Sequence, residues 1–433
     1  MVRTAVTQVL TPAQKFQQYI ASLRKPFIKR CRLRFLNPDG STAFALDNND
    51  KNKRSSAFIS DGSISVNLQN GTRRTASVTL SNVGQQFDYD VNHIWFGNEF
   101  AIDEGLVLPN GEEFYIQQGV FVAVTPTDTL TPNQRTITYN LTDKWANLDG
   151  TLHGNLEGTY EVPVDTDIFE AMNSILSLPR GNGMVIDQSP PIYTDFYNGK
   201  TQELPDGTTV SLTVSPFTLT VESGNSYASV LTGLSDMFNA WIGYDSSGSL
   251  RVDPSQDDIL DINKEVMYQF SMDETKLLGA TYTVKNTEVY NDYIVMGEQL
   301  DDNTQPNGRA QNLDPKSDTN VMRIGRKTVV YNASGYGTTT MCQDLAEWKL
   351  KRATVLQKSV SISCGQVLHI RENGLVTIVR TDKEGYPVER HLVTGFQRPL
   401  ASTEAMTIQA TSVNDFPIAT ITSWPEDENS GGK

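Results

Sequence analysis

The feature that most limits how this chain folds is the period of its apolar residues, which changes from two to a helical spacing and back. Ile64, Val66 and Leu68 alternate with Ser65, Asn67 and Gln69; Asn70-Gly71 then supplies two residues that tolerate positive φ, and Ala76, Val78 and Leu80 alternate on the return. Val120, Val122 and Val124, and then Ile137, Tyr139 and Leu141, repeat the pattern. The spacing predicts four or more antiparallel strands with one wet face, in a barrel or a sandwich.

Helical spacing interrupts this pattern at four places. Thr11-Pro12 can start a helix carrying Phe16, Tyr19, Ile20 and Leu23, which Lys25-Pro26 stops. Residues 165–178 place Ile168, Phe169, Met172, Ile175 and Leu176 on one face, with Asp165 or Asp167 as cap and Pro179 as terminator. Tyr227 to Ile242 is expected to be one helix buried through Val230, Leu231, Leu234, Met237, Phe238 and Trp241. Thr340 to Leu356 presents Met341, Leu345, Trp348 and Arg352. Two-residue alternation returns at Val360 and Ile362 and again at Met406, Ile408 and Ala410.

The expected architecture is mainly β with an α+β module. Residues 1–26 form an N-terminal helical arm, 27–160 a first tube-like β domain, 161–260 the α+β module, 261–425 a second tube-like β domain, and 426–433 a polar tail. Within the last domain, 299–320 is nearly devoid of apolar side chains and is expected to be an exposed, protease-sensitive loop. Asp47 to Arg54 reads as another charged loop.

Catalytic patterns are missing from the sequence. It has no phosphate-binding glycine loop, HExxH, nucleophile elbow or paired-cysteine motif. Cys31, Cys342 and Cys364 are far apart and read as plain thiols, and His93, His153, His369 and His391 are scattered. Asp257-Asp258 and Asp301-Asp302 lack calcium-loop spacing and read as solvated. Glu112-Glu113 reads as an exposed strand start. The expected enzyme, cofactor and metal assignments are therefore none. No apolar run is long enough to span a bilayer, and Met1 to Leu10 lack the pattern of a secretory signal.

Charge comes in blocks. The net charge is −15, yet residues 1–60 carry 11 Lys/Arg against 3 Asp/Glu, whereas 61–244 carry 6 against 22. Residues 245–320 are again acidic and 321–400 basic. Such alternation suits contact between neighbouring copies, and the acidic excess disfavours non-specific nucleic-acid binding.

In their order along the chain, several stretches resemble the hub proteins at the distal end of long-tailed bacteriophage tails. Ile59 to Leu80 resembles that family's opening hairpin, and Phe114 to Val122 the strand closing its first β domain. Asp167 to Met172 and Ser229 to Met237 resemble the two helices of the next module, and Tyr244 to Val252 the hairpin after them. Asn291 to Gly297, Leu345 to Trp348, Leu392 to Phe396 and Met406 to Ala410 are similar to its later elements. The resemblance spans about 27–420 and leaves the N-terminal arm and the 47–54 loop unmatched.

The resemblance implies a homotrimer in the virion tail, made in the host cytoplasm, that closes a sixfold tail tube and adapts it to threefold symmetry. Its implied partners are a tail tube or distal tail protein, the tape measure protein and fibre or tip proteins, with genomic DNA passing through without specific binding. The competing readings are a sixfold distal tail adaptor or tail-fibre attachment protein and, further off, a cell-wall-degrading tail enzyme. If a lumen exists, its wall is expected to be net acidic, because lysines and arginines there would capture phosphates.

Overall fold

A computed structural model of the chain describes residues 10–413, apart from 50–57, 84, 86, 88–96, 133, 182–183, 194–198, 200, 204–207, 212, 238–239, 255–264, 285–288, 300–303, 334–335 and 356–357. Its main element is a thirteen-stranded sheet. Seven strands come from the first third of the chain: β1 (Lys29–Leu36), β2 (Thr42–Asp47), β3 (Ile59–Asn67), β4 (Arg74–Ser81), β5 (Glu99–Val107), β6 (Glu113–Thr131) and β7 (Gln134–Asp143). Six come from residues 266–412: β8 (Val266–Ser271), β9 (Leu277–Val284), β10 (Lys358–Cys364), β11 (Leu375–Val379), β12 (Val388–Pro399) and β13 (Met406–Ser412).

The hairpin read from the sequence is β3–β4, in antiparallel register with Ile64 opposite Ala76, and Gly71 in the turn takes φ +94°. Ile64, Val66, Val78 and Leu80 point inward while Ser65 and Thr79 stay near solvent, which is the period-two pattern expressed as burial. The two β regions are not separate sheets. The second half of β12 pairs with β3, Phe396 opposite Val66 and Arg398 opposite Ile64, while the first half of β12 pairs with β11. The complete path runs β9-β10-β13-β12-β3-β4-β7-β6-β5-β1-β2, with β11 and β8 branching from β12. One hydrophobic core serves both regions, from Leu33, Phe100 and Tyr139 to Phe270, Val376 and Ile408. Among the described residues no sheet closes on itself, so the structure is mainly β without a closed barrel inside one chain.

Helix α1 (Pro12–Ser22) begins as its sequence predicts: Thr11 and Gln14 form a reciprocal capping box around Pro12. It packs on its own chain as a strap between the two β regions. The Tyr19 hydroxyl accepts the backbone N–H of Leu368 (2.9 Å) and His369 (3.2 Å) and donates to His369 Nδ1 (2.9 Å), while the Tyr19 ring lies 5.4 Å from that of Phe114.

Between β7 and β8 lies the α+β module with its own core. Helix α2 (Ile168–Leu176) is capped by Asp167, whose carboxylate accepts from the N–H groups of Phe169 and Glu170. Helix α3 (Tyr227–Asp236) is shorter than its apolar spacing predicts, and Ala240–Tyr244 is a strand paired with Leu250–Pro254. Trp241 is therefore buried from a strand and not from a helix. Every residue of Ala240–Tyr244 is buried, and a run buried on both faces carries no two-residue signature. The Asn70-Gly71 turn docks on this strand: the N–H of Ile242 donates to Asn70 Oδ1 and the N–H of Gly71 donates to the Ile242 carbonyl, both at 3.1 Å.

A second small module is inserted between β9 and β10. Strand Asp292–Met296 pairs with Asn307–Gln311 and Thr328–Asn332 beneath helix α4 (Thr339–Val355). Met341, Leu345 and Trp348 of α4 are buried in its core, as the helical spacing predicts. The expected exposed loop 299–320 is corrected here. Residues 307–311 are a strand, and Ala310, Asn312 and Asn320 are buried. Polar groups supply the order that apolar ones do not. Asn312 Nδ2 donates to Ser317 Oγ and Thr319 Oγ1 (both 2.8 Å), Asn291 Nδ2 donates to the Thr319 carbonyl (3.0 Å), and Arg309 grips buried Asp292 with two 2.8 Å bonds. Residues 300–303, 50–54 of the other charged loop and the 426–433 tail lie outside the described residues.

Candidate assembly site

Two features could serve assembly: a buried polar joint that fixes the two β regions against each other, and the open edges of the sheet that they share.

The joint is built from residue types that rarely enter a core. Glu104 on β5 lies between Lys29 of β1, at 2.7 Å, and the Arg398 Nε of β12, and all three side chains are buried. Arg398 also donates to Gln118 Oε1 and to the carbonyls of Val367 and Leu368 (both 3.3 Å), and Gln118 Nε2 donates to the Leu368 carbonyl at 3.0 Å. Lys29 donates further to Gln366 Oε1, and Gln366 Nε2 to the carbonyls of Ser402 (2.9 Å) and Glu404 (2.8 Å). Burial pulls the Lys29 ammonium down from its usual range, and the Glu104 carboxylate opposes that shift. Arg74 on β4 ties in the α+β module by pairing with Glu372 and donating to the carbonyls of Gln118 (3.0 Å) and Tyr244 (3.4 Å). Asp143 accepts the N–H groups of Arg73 (2.8 Å) and Arg74 (2.9 Å) on one oxygen, and burial pushes its carboxyl up to about 6.

Charges buried this way stabilise little by themselves, because desolvation offsets much of their attraction. They do forbid sliding. A shift of β12 against β3 would strand Arg398 and Glu104 without partners. The joint thus makes two tandem β regions one rigid body.

The path of the sheet ends at β2 on one side and β9 on the other, and among the described residues no strand pairs their outer edges. Phe44 on β2 and Tyr282 on β9 are exposed, and Leu278 on β9 is 62% exposed. An open edge carrying apolar side chains invites pairing with another chain.

The groups considered for chemistry are dispersed. Cys31, Cys342 and Cys364 are buried free thiols, which burial pushes up to about 12, 11 and 12. His369 is a packed partner of Tyr19 and donates from Nε2 to the Met267 carbonyl at 2.8 Å. His391 is buried in the sheet, and His153 stands apart from both. His93, Asp257-Asp258 and Asp301-Asp302 lie outside the described residues. Glu113 is exposed and opens β6, as expected of a strand start, and both acids are paired: Glu112 with Lys15 of α1 (3.0 Å) and Glu113 with Arg30 of β1 (2.8 Å). Among the described residues no three His, Cys, Asp or Glu side chains come together as a metal site. No described helix is long and apolar enough to cross a membrane. The polar joint escaped the sequence reading because its members are spread over more than 300 residues. The signal available was a basic residue in phase with the inward apolar positions of its strand: Lys29 with Cys31 and Leu33, and Arg398 with Phe396.

The fold recurs in solved tail proteins. The tail protein from Neisseria meningitidis superposes with a TM-score of 0.58 at 9% identity, over 90% of this chain and 98% of that one. The 43 kDa tail protein of a Shewanella oneidensis prophage superposes with a TM-score of 0.54 at 11% identity, over 88% and 98%. A prophage tail protein from Listeria monocytogenes gives 0.51 at 9%, over 89% and 94%. At these identities the likeness is one of fold. No family model matches the chain, and no curated protein matches it.

Proposed function

We propose that this chain is a non-enzymatic structural hub of a phage tail tip or baseplate, closing the distal end of the tail tube as a homotrimer. The observation that carries this reading is the pairing of two tandem β regions, of seven and six strands, in one sheet with one core. Three such chains present six comparable β regions, which is what a sixfold tube requires of a threefold cap. The fold shared with solved tail proteins along nearly their whole length supports the same reading.

In the ring, β2 of one subunit lies against β9 of the next, so that the tube-like β domains close only in the assembly. The ring faces a tail tube or distal tail protein above and fibre or tip proteins below, with the tape measure protein and then the genome passing through a net-acidic lumen. The acidic stretch 61–320 supplies that wall, and duplex DNA slides past it because carboxylates bind no phosphate. Ala45→Cys on β2 combined with Thr281→Cys on β9 tests the closure. Oxidation is expected to yield covalent oligomers that stop at three chains. Ladders running to six support a sixfold adaptor in place of the hub, and an absence of cross-links overturns the edge contact.

A further inference from the structure

The second α+β module has a sheet edge that the proposed β2–β9 contact does not use. Its Asn307–Gln311 edge is covered by α4, since Gln343 accepts the N–H of Arg309 on Oε1 (2.9 Å) and donates from Nε2 to its carbonyl (3.0 Å). The opposite strand, Thr328–Asn332, is paired on one side only among the described residues. Val330 on that strand is 56% exposed, and Met322 in the one-turn helix Val321–Ile324 ahead of it is 86% exposed. The charge around them has one sign. Residues 321–332 hold Arg323, Arg326 and Lys327 and no Asp or Glu. The Arg323 and Arg326 side chains are each more than half exposed. Within one chain they meet only Asp318, itself exposed, and Asp292, which Arg309 already grips with two bonds.

The first α+β module carries the opposite charge. Residues 145–179 hold six Asp/Glu and no Lys or Arg. Its two-stranded sheet, Tyr160–Val162 with Leu219–Val221, sets Glu161 opposite Thr220. Alternation turns Val162 and Leu219 toward the core of the module and leaves Glu161, Thr220 and Glu222 exposed on the other face, where Thr159 Oγ1 donates to Glu222 at 3.2 Å. Glu157, just before this sheet, is exposed as well.

We propose that the basic edge 321–332 of one subunit docks on this acidic face of the next, Arg323 and Arg326 against Glu157, Glu161 and Glu222, with Met322 and Val330 covered by the contact. Opposite charge on two separate patches selects a second copy as the occupant and orients it, because like patches repel. The contact is head-to-tail, since each subunit offers one patch to either neighbour, and such a contact repeats around a closed ring. In that sense it rests on the ring reading.

Sedimentation equilibrium of the full chain tests it. Self-association is expected at low salt and is expected to weaken about tenfold at high salt, where exposed charges are screened. Arg323→Glu/Arg326→Glu and Glu157→Lys/Glu161→Lys/Glu222→Lys are each expected to weaken it about tenfold at low salt. All five substitutions in one chain exchange the two signs and are expected to restore it, which also reports an intact fold. A wild type that stays monomeric at low salt overturns the proposal. So do one-sided variants that associate like the wild type, or a five-substitution chain that fails to regain association. The Ala45→Cys/Thr281→Cys cross-link keeps this apart from the hub reading. Cross-linked trimers that form equally well in the one-sided variants, with association unchanged, overturn the docking alone; charge-dependent association without cross-links leaves the docking and overturns the β2–β9 closure.

Discussion

Glu104 has two cationic partners, Lys29 and Arg398, and all three are cut off from water. Removing the anion leaves two buried cations facing each other. Glu104→Gln is therefore expected to destabilise the fold by about 3–5 kcal/mol, read from denaturant unfolding at neutral pH. A loss below about 1 kcal/mol would show that water reaches the joint. His391 makes a second prediction. Burial pulls its imidazole down to about 4; Glu389, 3.7 Å away, opposes that shift and Arg380 adds to it, with the Tyr282 ring packed alongside. The native state holds His391 neutral while the unfolded chain takes up a proton near pH 6.5. Stability is thus fully present above pH 6.5 and is lost as pH falls toward 4, by roughly 3 kcal/mol. Urea unfolding of the wild type and of His391→Leu at pH 7 and pH 4.5 should show a smaller acid loss in the variant. Parallel losses would remove His391 as the cause. Neither residue could be singled out from sequence: Glu104 pairs with Arg398, 294 positions away, and His391 is buried by packing that its neighbours in sequence do not announce.

At the scale of elements, legibility followed periodicity. The β3–β4 hairpin, α1, α2 and α4 stand close to where their spacing places them, each with a local signal: a turn dipeptide, a cap or a proline. The two departures have one origin. Ala240–Tyr244 is buried on both faces and imitates the end of a helix, while Asn307–Gln311 is polar and imitates a loop. In each case tertiary partners override the local pattern. Gly308 makes the second case testable. A Cβ there would stand 2.2 Å from the Gln343 backbone nitrogen and 2.3 Å from the Cys342 carbonyl carbon, on a helix that cannot yield without leaving its strand. Gly308→Ala is expected to cost about 1–3 kcal/mol through overpacking, confined to this module. Hydrogen exchange should quicken across 307–311 and 339–350 and stay unchanged in β3 and β4. A uniform change across the sheet would mean that the module and the sheet unfold as one unit.

At the scale of the whole molecule, the two β regions were legible one by one, and their union in one sheet was not. The Phe396–Val66 pairing joins strands 330 residues apart, and no local pattern records such a contact. That union gives the chain its proposed role, since a rigid tandem of β regions is what allows three subunits to occupy six positions. The outer edges of β2 and β9, open among the described residues, fit a subunit completed by its neighbours. The most direct test of this account is the rotational symmetry of the ring formed on the tail tube, determined by electron cryomicroscopy of assembled particles without imposed symmetry. The account predicts a threefold ring, three copies per tube end, with each subunit covering two positions of the sixfold tube; a ring of six identical copies, one per tube position, would contradict it.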